Sequence, residues 1–209
     1  HYKDSGVEWL GEVPAHWNLH RLKNICSVFP SNVDKKSYAD EIPVKLCNYT
    51  DVYYNEVIIA DMDFMLATAS ADQIEKFSLR RGDTIITKDS EAADDIAISS
   101  YVPENIEGIV CGYHLSMIRP LNLTEINGAF IKRAFDTHFT KAHCAVSATG
   151  LTRVGLGQHA INNIIIPAPP FFEQNGIVDF LDRETAKLDA LITEQRTLID
   201  LLKEKRQAG

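Results

Sequence analysis

The sequence has few long apolar stretches and few cysteines, and each shortage excludes a class of protein. Apolar segments such as Ile161–Ile166 fall far short of the roughly 20 residues that span a bilayer. The N-terminus carries no charged-then-apolar signal pattern, so we expect a soluble, cytoplasmic protein with no membrane partner. Cys26, Cys47, Cys111 and Cys144 form no C-x-x-C pair, which argues against a disulfide framework or a zinc knuckle and favours reduced core residues.

Motifs for catalysis are also missing. A phosphate-binding G-x-x-x-x-G-K-[ST] loop is absent, and "GLTRVGLG" is a glycine cluster without a strand-turn-helix frame. Ala168–Phe171 resembles the D/N-P-P-Y/F/W motif of amino-methyltransferases, but an alanine in its first position cannot accept a hydrogen bond. The stretch "GDTIITKDSE" lacks the carboxylate-x-lysine spacing of metal nucleases. His138, His143 and Cys144 have no fourth zinc ligand at a usual spacing.

The charge is mostly negative, which speaks against a simple nucleic-acid binder. The formal net charge is −8, whereas nucleic-acid-binding domains usually carry a basic patch. Residues 130–160 are an exception, because four basic side chains and three histidines there face a single acid, Asp136. These basic residues are Lys132, Arg133, Lys141 and Arg153. They form either a binding surface or an ordinary combination of one helix face and loop charges.

Short apolar runs separated by Asp, Asn, Gly and Pro predict an α+β fold, a mixed globular domain with a twisted β-sheet. The predicted strands are Val44–Tyr49, Val57–Ala60, Phe64–Ala67, Thr84–Thr87, Ile96–Val102 and Ile109–Ile118. Gly128–Phe139 has helical spacing and is expected to pack on the sheet while Lys132 and Arg133 point elsewhere. The opening from Ser5 predicts a short helix and a turn, with both tryptophans as structural anchors.

The C-terminal segment predicts a long helix that forms a coiled coil with a partner helix. Three prolines within residues 167–170 end a strand rigidly, and a helix follows near Phe172. Apolar residues then recur at heptad spacing. The positions expected to pair are Val178, Leu181, Leu188, Ile192, Gln195, Ile199 and Leu202. A rod of ~50 Å exceeds what the domain can cover, unless the helix folds back on that domain. The domains are therefore 1–166 and 167–209.

Three segments resemble the specificity subunit of type I DNA restriction-modification systems. They are "YKDSGVEWLGEVPAHWNLHRLK", "IPAPPFFEQNGIVDFLD" and "DRETAKLDALITEQRTLIDLLKEKR", which together bracket nearly the whole chain. The proline strap followed by Glu173-Gln174 and a Leu-Asp step is the specific part of the match, whereas heptads alone are a weak signal. The resemblance implies a target-recognition domain that reads one half of a split DNA sequence, joined to a spacer helix.

The resemblance also implies partners. Methyltransferase subunits are expected to supply the methyl donor and to flip the adenine, while a restriction subunit cleaves, so this chain needs no cofactor and catalyses nothing. A family subunit usually has two recognition domains and two antiparallel helices, but this sequence holds one of each. It resembles half a subunit, which pairs either with a second copy or with a second half-subunit through the C-terminal helix.

Candidate DNA contacts come from loop position and charge, because base edges in the major groove are read by polar side chains on loops. Two loops are expected to contact bases: Thr87, Lys88, Asp89, Ser90 and Glu91 in one, and Thr149, Thr152, Arg153, Gln158 and His159 in the other. Phosphates are expected to contact Lys132, Arg133 and Lys141. Two alternatives remain open: a stand-alone DNA methyltransferase or nuclease fragment, and a coiled-coil scaffold without DNA function.

Overall fold

The computed structural model describes residues 1–207, and the last two positions of the predicted C-terminal domain lie outside these residues. The strands are β1 (Tyr2–Asp4), β2 (Glu12–Pro14), β3 (Asn18–Arg21), β4 (Cys26–Pro30), β5 (Ile42–Cys47), β6 (Met65–Ala69), β7 (Thr84–Thr87), β8 (Asp89–Ser90), β9 (Ser99–Tyr101), β10 (Ile109–Cys111), β11 (Leu115–Pro120), β12 (Val154–Gly155) and β13 (Ile165–Ala168). The helices are α1 (Leu22–Ile25), α2 (Tyr49–Tyr54), α3 (Ala71–Phe77), α4 (Gly128–Asp136), α5 (His138–Ser147), α6 (Gln158–Asn162) and α7 (Phe171–Gln207).

A four-stranded antiparallel sheet in the order β4-β11-β7-β9 lies at the centre of the domain. Side chains alternate between the two faces of a strand. On β7, Ile85 therefore joins one apolar cluster and Ile86 the other, and on β11 Met117 and Ile118 divide in the same way. The first cluster is closed by the sheet β10-β5-β6 with α2 and α3, and the second by β13 and the other helices. The predicted α+β class is confirmed.

Several predicted elements differ from the structure. Val57–Ala60 forms no strand, and only Val57 makes an isolated bridge, to Tyr101. The run Ile109–Ile118 is two strands, because the chain turns at Gly112, where a β-carbon would lie 2.8 Å from the carbonyl oxygen of Cys47. The strand predicted at Ile96–Val102 is reduced to β9.

The N-terminal segment and the predicted Gly128–Phe139 helix also differ. The opening residues form the antiparallel pair β1 and β2 around a turn, so the short helix predicted there is wrong. The predicted helix becomes α4 and α5, because Thr137 sits between them in an extended conformation and its hydroxyl oxygen caps α5 by accepting from Thr140 N–H. Helix α4 packs on β7 and β9, as the sequence predicts. All four cysteines are buried with free thiols.

Helix α7 is the longest element, and it is attached to the domain through its first turns. Gln174 is 1% exposed, and its side-chain oxygen accepts from Asn127 N–H while its nitrogen donates to the carbonyls of Glu125 and Pro169, all at 2.9 Å. Glu173 accepts from Trp17 Nε1 at 2.9 Å. The start of the helix is therefore fixed against three separate parts of the domain.

A cluster of ions holds the next two turns of α7. Arg133 of α4 donates to Asp182 at 2.7 Å and also contacts Glu56. Lys132 beside it is paired with Glu56 and with Asp136. The cluster therefore joins α7, α4 and the loop after α2.

Beyond this anchor, α7 leaves the domain. Every residue from Thr185 to Gln207 is exposed, a length of roughly 35 Å at 1.5 Å per residue. The alternative in which the helix folds back on its own domain is wrong, because only its first part packs there. No helix within residues 1–207 is long and apolar enough to cross a membrane.

The anchor generates a stability prediction. Gln174→Ala should lower the free energy of unfolding by about 2–4 kcal/mol, because one buried N–H and two carbonyls lose their partner. Chemical denaturation measures this difference. Glu194→Ala, at an exposed position on the free part of the same helix and outside the predicted pairing residues, is the matched control and should change it by less than about 0.5 kcal/mol. Equal effects of the two variants would contradict the anchoring role of Gln174.

Candidate nucleic-acid interface

The two loops predicted to read DNA bases come together in space. Strand β8 of the first loop pairs antiparallel with β12 of the second, so that Val154 lies opposite Ser90 and Gly155 opposite Asp89. The N–H of Leu156 donates to the carbonyl of Lys88 at 2.8 Å. Residues separated by more than sixty positions in sequence therefore form one continuous surface, and this surface lies beyond the last residue of β7.

The second loop ends in a tight, rigid tip. Thr149 and Gly155 exchange both of their backbone hydrogen bonds, at 3.1 and 2.9 Å, and so close the loop between them. Gly150 has φ +146°, and a β-carbon there would lie 1.8 Å from the carbonyl oxygen of Arg153. Only glycine fits this position. The tip exposes Leu151, whose side chain is fully accessible, and Arg153.

A cleft of about 400 Å3 separates this surface from α2. One wall carries Tyr49 and Tyr53, whose rings stack with their centroids 5.4 Å apart. The other wall carries Asp89, His114 and Arg153. The cleft thus combines flat aromatic surface with charged and hydrogen-bonding groups, which are the two components that contact nucleic acids.

Two of the carboxylates in the cleft already accept hydrogen bonds from side chains of the domain. Asp89 accepts from Lys88 Nζ at 2.8 Å and from His114 Nδ1 at 3.0 Å. Burial raises the pKa of Asp89, but these hydrogen bonds outweigh it and hold the pKa below its ordinary value. Asp95 accepts from the hydroxyl of Tyr53 at 3.0 Å, and this hydrogen bond raises the pKa of the phenol.

The ionic groups of the cleft that lack an ion-pair partner are balanced in charge. Within residues 1–207, Lys35 and Arg153 line the cleft without such a partner, and so do two acids, Glu91 and Asp95. The overall charge of −8 therefore does not describe this surface.

Three predicted contact residues are buried, and the prediction for them is wrong. Thr87 is the last residue of a central strand, and its hydroxyl oxygen accepts from Ile98 N–H at 3.0 Å. Ser90 is also buried, and its hydroxyl oxygen accepts from Ala92 N–H at 3.4 Å. Lys132 is 2% exposed, so its paired ammonium cannot reach a phosphate. Thr87 and Lys132 do not line the cleft, whereas the buried Ser90 forms part of its wall.

Arg133 also differs from its predicted role. It was expected to contact phosphate, but its guanidinium joins Asp182 and Glu56 and therefore anchors α7. The locally basic segment is thus divided, with Lys132 and Arg133 in the anchor.

The other predicted contact residues are accessible, and their contact with DNA stays a prediction. Lys88 and Asp89 are partly exposed and paired with each other. Gln158 donates to the carbonyl of Val28 at 3.0 Å, and His159 lies 3.3 Å from the side-chain nitrogen of Asn163. The exposed members are Glu91, Lys141, Thr149, Thr152, Arg153, Gln158 and His159.

Sequence reasoning missed the tyrosine wall of the cleft. Asn48 and Asp51 form a capping box that starts α2, and the spacing of Tyr49 and Tyr53 places both rings on one face of it. The segment "NYTDVYY" carries this signal. His114 gave no such signal, because only the pairing of β11 with β7 brings it beside Asp89.

The predicted pairing residues fall into two groups. Val178 is buried in the second apolar cluster, so its prediction as a contact to a partner helix is wrong. Leu181 is half-buried against the domain, and for its exposed part the pairing stays a prediction. The remaining five are exposed on the free part of α7. They are Leu188, Ile192, Gln195, Ile199 and Leu202, and we call them the seam. Their pairing stays a prediction.

The structure thus combines an open polar cleft beyond the end of β7 with a long helix that is anchored to the domain through its first turns. The family model described as "Type I restriction modification DNA specificity domain" matches residues 14–200. The chain belongs to this family.

Known relatives agree with this membership. The putative type I restriction enzyme MjaX specificity subunit of Methanocaldococcus jannaschii is 23% identical over 176 residues, which cover 82% of this chain and 40% of that protein. The chain thus spans less than half the length of this relative.

Solved structures show the same fold. A chain from a structure on complex assembly and conformational transition of the type I R-M system has a TM-score of 0.69 at 17% identity, covering 99% of this chain and 47% of that one. The HsdS subunit from Thermoanaerobacter tengcongensis has a TM-score of 0.60 at 16% identity, covering 93% and 42%. The S subunit of a type I system from M. genitalium gives 0.53 at 13% identity, covering 85% and 41%.

The electrostatics of Asp89 generate a pH prediction. The pKa of Asp89 is lowered from 3.8 in the folded state. Its contribution to stability is therefore full above that value and is lost as the pH falls through the folded pKa. Urea unfolding from about pH 6 down to about pH 2.5 should show a steeper loss of stability for the wild type than for Asp89→Asn. Asp94→Asn, at an exposed acid nearby, should keep the wild-type slope. Identical slopes for all three proteins would contradict the assignment.

Proposed function

We propose that this chain is the DNA-reading part of a type I restriction-modification specificity subunit and reads one half of a bipartite target. The observation that carries the proposal is the pairing of β8 with β12, which joins two polar loops into one exposed surface beside a cleft. A rigid sheet holds these loops, which is the arrangement that base readout in the major groove requires. Membership of the family supports the same function.

In this proposal the chain aims chemistry that other subunits perform. Methyltransferase subunits bind the methyl donor and flip the adenine out of the duplex, and a restriction subunit cleaves. The chain itself holds no cofactor and is not catalytic, and the complex acts on double-stranded DNA in the cytoplasm. Much of the affinity for DNA comes from the partners, because a chain with a net charge of −8 attracts the phosphate backbone weakly.

The rod is a spacer in this proposal, and its seam requires a partner helix. Ile192 and Ile199 are 48% and 49% exposed although they repeat at heptad spacing, because they lie on the part of α7 against which no other part of residues 1–207 packs. The partner is a second copy of this chain or a second half-subunit. In either case the antiparallel pairing produces a twofold or pseudo-twofold arrangement of two reading domains that matches two DNA half-sites.

Methylation mapping tests the function directly. Cells that express the specificity subunit carrying this sequence together with its methyltransferase subunits should show methylated adenines in a split motif with a fixed gap. A complex that assembles but methylates no defined motif, and binds no duplex, would instead favour the coiled-coil scaffold. Methyl transfer by the chain alone would favour a stand-alone methyltransferase.

The division of the basic segment generates a binding prediction. Lys141 is exposed on α5 with no ion-pair partner among residues 1–207. As a phosphate contact, Lys141→Ala should weaken the binding of the assembled complex to all sequences alike and reduce the salt slope by about one. Titrations over a range of salt concentrations measure both effects. Lys36→Ala, an exposed lysine outside the two loops, is the control, and a change of sequence preference in Lys141→Ala would contradict a phosphate contact.

The exposed seam generates an association prediction. Ile192→Glu places a charge in the apolar stripe and should abolish pairing of the helix, which sedimentation velocity at increasing concentration would detect. Thr197→Glu, on the opposite face of the same turns, should leave pairing intact. A wild-type protein that stays monomeric at high concentration, and that gains no partner from a second half-subunit, would contradict the role of the seam.

A further inference from the structure

Two side chains at the tip of the Thr149–Gly155 loop are not used by the fold. The guanidinium of Arg153 makes no hydrogen bond and no ion pair with any described residue, although the side chain lines the cleft. Leu151 is a fully exposed apolar residue two positions earlier. Neither side chain stabilises the domain, and yet the backbone that carries them is fixed by Gly150 and the two hydrogen bonds between Thr149 and Gly155.

We propose that Arg153 reads a guanine in the major groove, and that it is the residue through which this tip determines one position of the DNA target. The inference rests on the proposed function and adds a base identity to it. A guanidinium presents a rigid fork of donors, and guanine presents two acceptors, N7 and O6, on its major-groove edge. The other exposed predicted contacts of this loop, such as Thr152 and Gln158, lack such a charged fork.

The surroundings of Arg153 favour a base over a phosphate. Glu91 lines the same cleft as an exposed carboxylate and repels phosphate oxygens, while it can accept from the amino group of a cytosine. Leu151 suits an apolar contact with base edges, such as the methyl group of a thymine, and has nothing to gain from a phosphate. The loop is also closed at its base by the two hydrogen bonds between Thr149 and Gly155, and defined placement matters more for base readout than for charge neutralisation.

The cations elsewhere in the cleft do not compete for this role. Lys88 and His114 both donate to Asp89, so both side chains are already engaged within the domain. Lys35 carries a point charge without a fork, which suits a phosphate at the edge of the cleft. Arg153 is therefore the only guanidinium of the cleft lining in the described residues.

The test uses the specificity subunit carrying this sequence in complex with its methyltransferase subunits, and DNA containing the motif found by methylation mapping. Each guanine of one half-site is replaced in turn by 7-deazaguanine, which removes the N7 acceptor and keeps the base pair. Affinity is measured for the wild type, for Arg153→Ala and for Arg153→Lys. Arg81→Ala is the matched control, because Arg81 is exposed at the other end of β7. Thermal unfolding confirms that the variants fold.

The expected result is a loss of affinity of about 5- to 100-fold for Arg153→Ala, with relaxed methylation at one guanine position. At that position alone, 7-deazaguanine should weaken the wild type but not the variant. Arg153→Lys should restore part of the affinity without the selectivity. Arg81→Ala should behave as the wild type.

Two results would overturn the inference while the proposed function stands. One is a uniform loss of affinity in Arg153→Ala with the motif unchanged, which would make Arg153 a phosphate contact. The other is a motif whose half-sites contain no guanine sensitive to N7 removal. A wild-type complex that methylates and binds no defined motif would show that the proposed function itself has failed, and the inference would fall with it.

Discussion

The rest of the structure depends on the buried side chain of Gln174. Its amide joins the first turn of α7 to the loop before α4 and to the proline strap, so the direction of a helix of 37 residues is set within its first four. Arg133 and Asp182 secure the same helix two turns later. Without these polar contacts the helix would be tethered by its chain connection and a few apolar contacts, and the surface formed by β8 and β12 would have no fixed relation to the helix.

The sequence predicted the parts of the fold that depend on local pattern. The strand end was predicted from the prolines at 167, 169 and 170, and the long helix from the uninterrupted heptads. Strand β7 and the α+β class were predicted from short apolar runs. The failures came from long-range packing. Nothing in the sequence near Lys132 indicates that its ammonium group will pair with Glu56, which lies more than seventy positions away. The tight approach of Gly112 to Cys47, which divides one predicted strand into two, depends on the same kind of distant contact.

The candidate site was predictable in part for the same reason. Loop residues with polar side chains could be selected from composition, and Arg153 and Lys141 remain accessible in the structure. Which of the selected residues are available is decided by pairing that composition does not reveal. The hydroxyls of Thr87 and Ser90 accept hydrogen bonds from backbone N–H groups of the domain, and Lys88 donates to Asp89. The cleft is also less acidic than the chain as a whole, since the surplus of acids behind the net charge of −8 does not line it.

The pairing of β8 with β12 has a consequence for the exchange of segments between this chain and its relatives. Each strand is only two residues long, and neither has another neighbour in a sheet. Transplanting the segment around Arg153 alone from a relative would place Asp89 and Ser90 opposite foreign backbone. The two segments form a single exchangeable cassette, although the chain encodes them far apart.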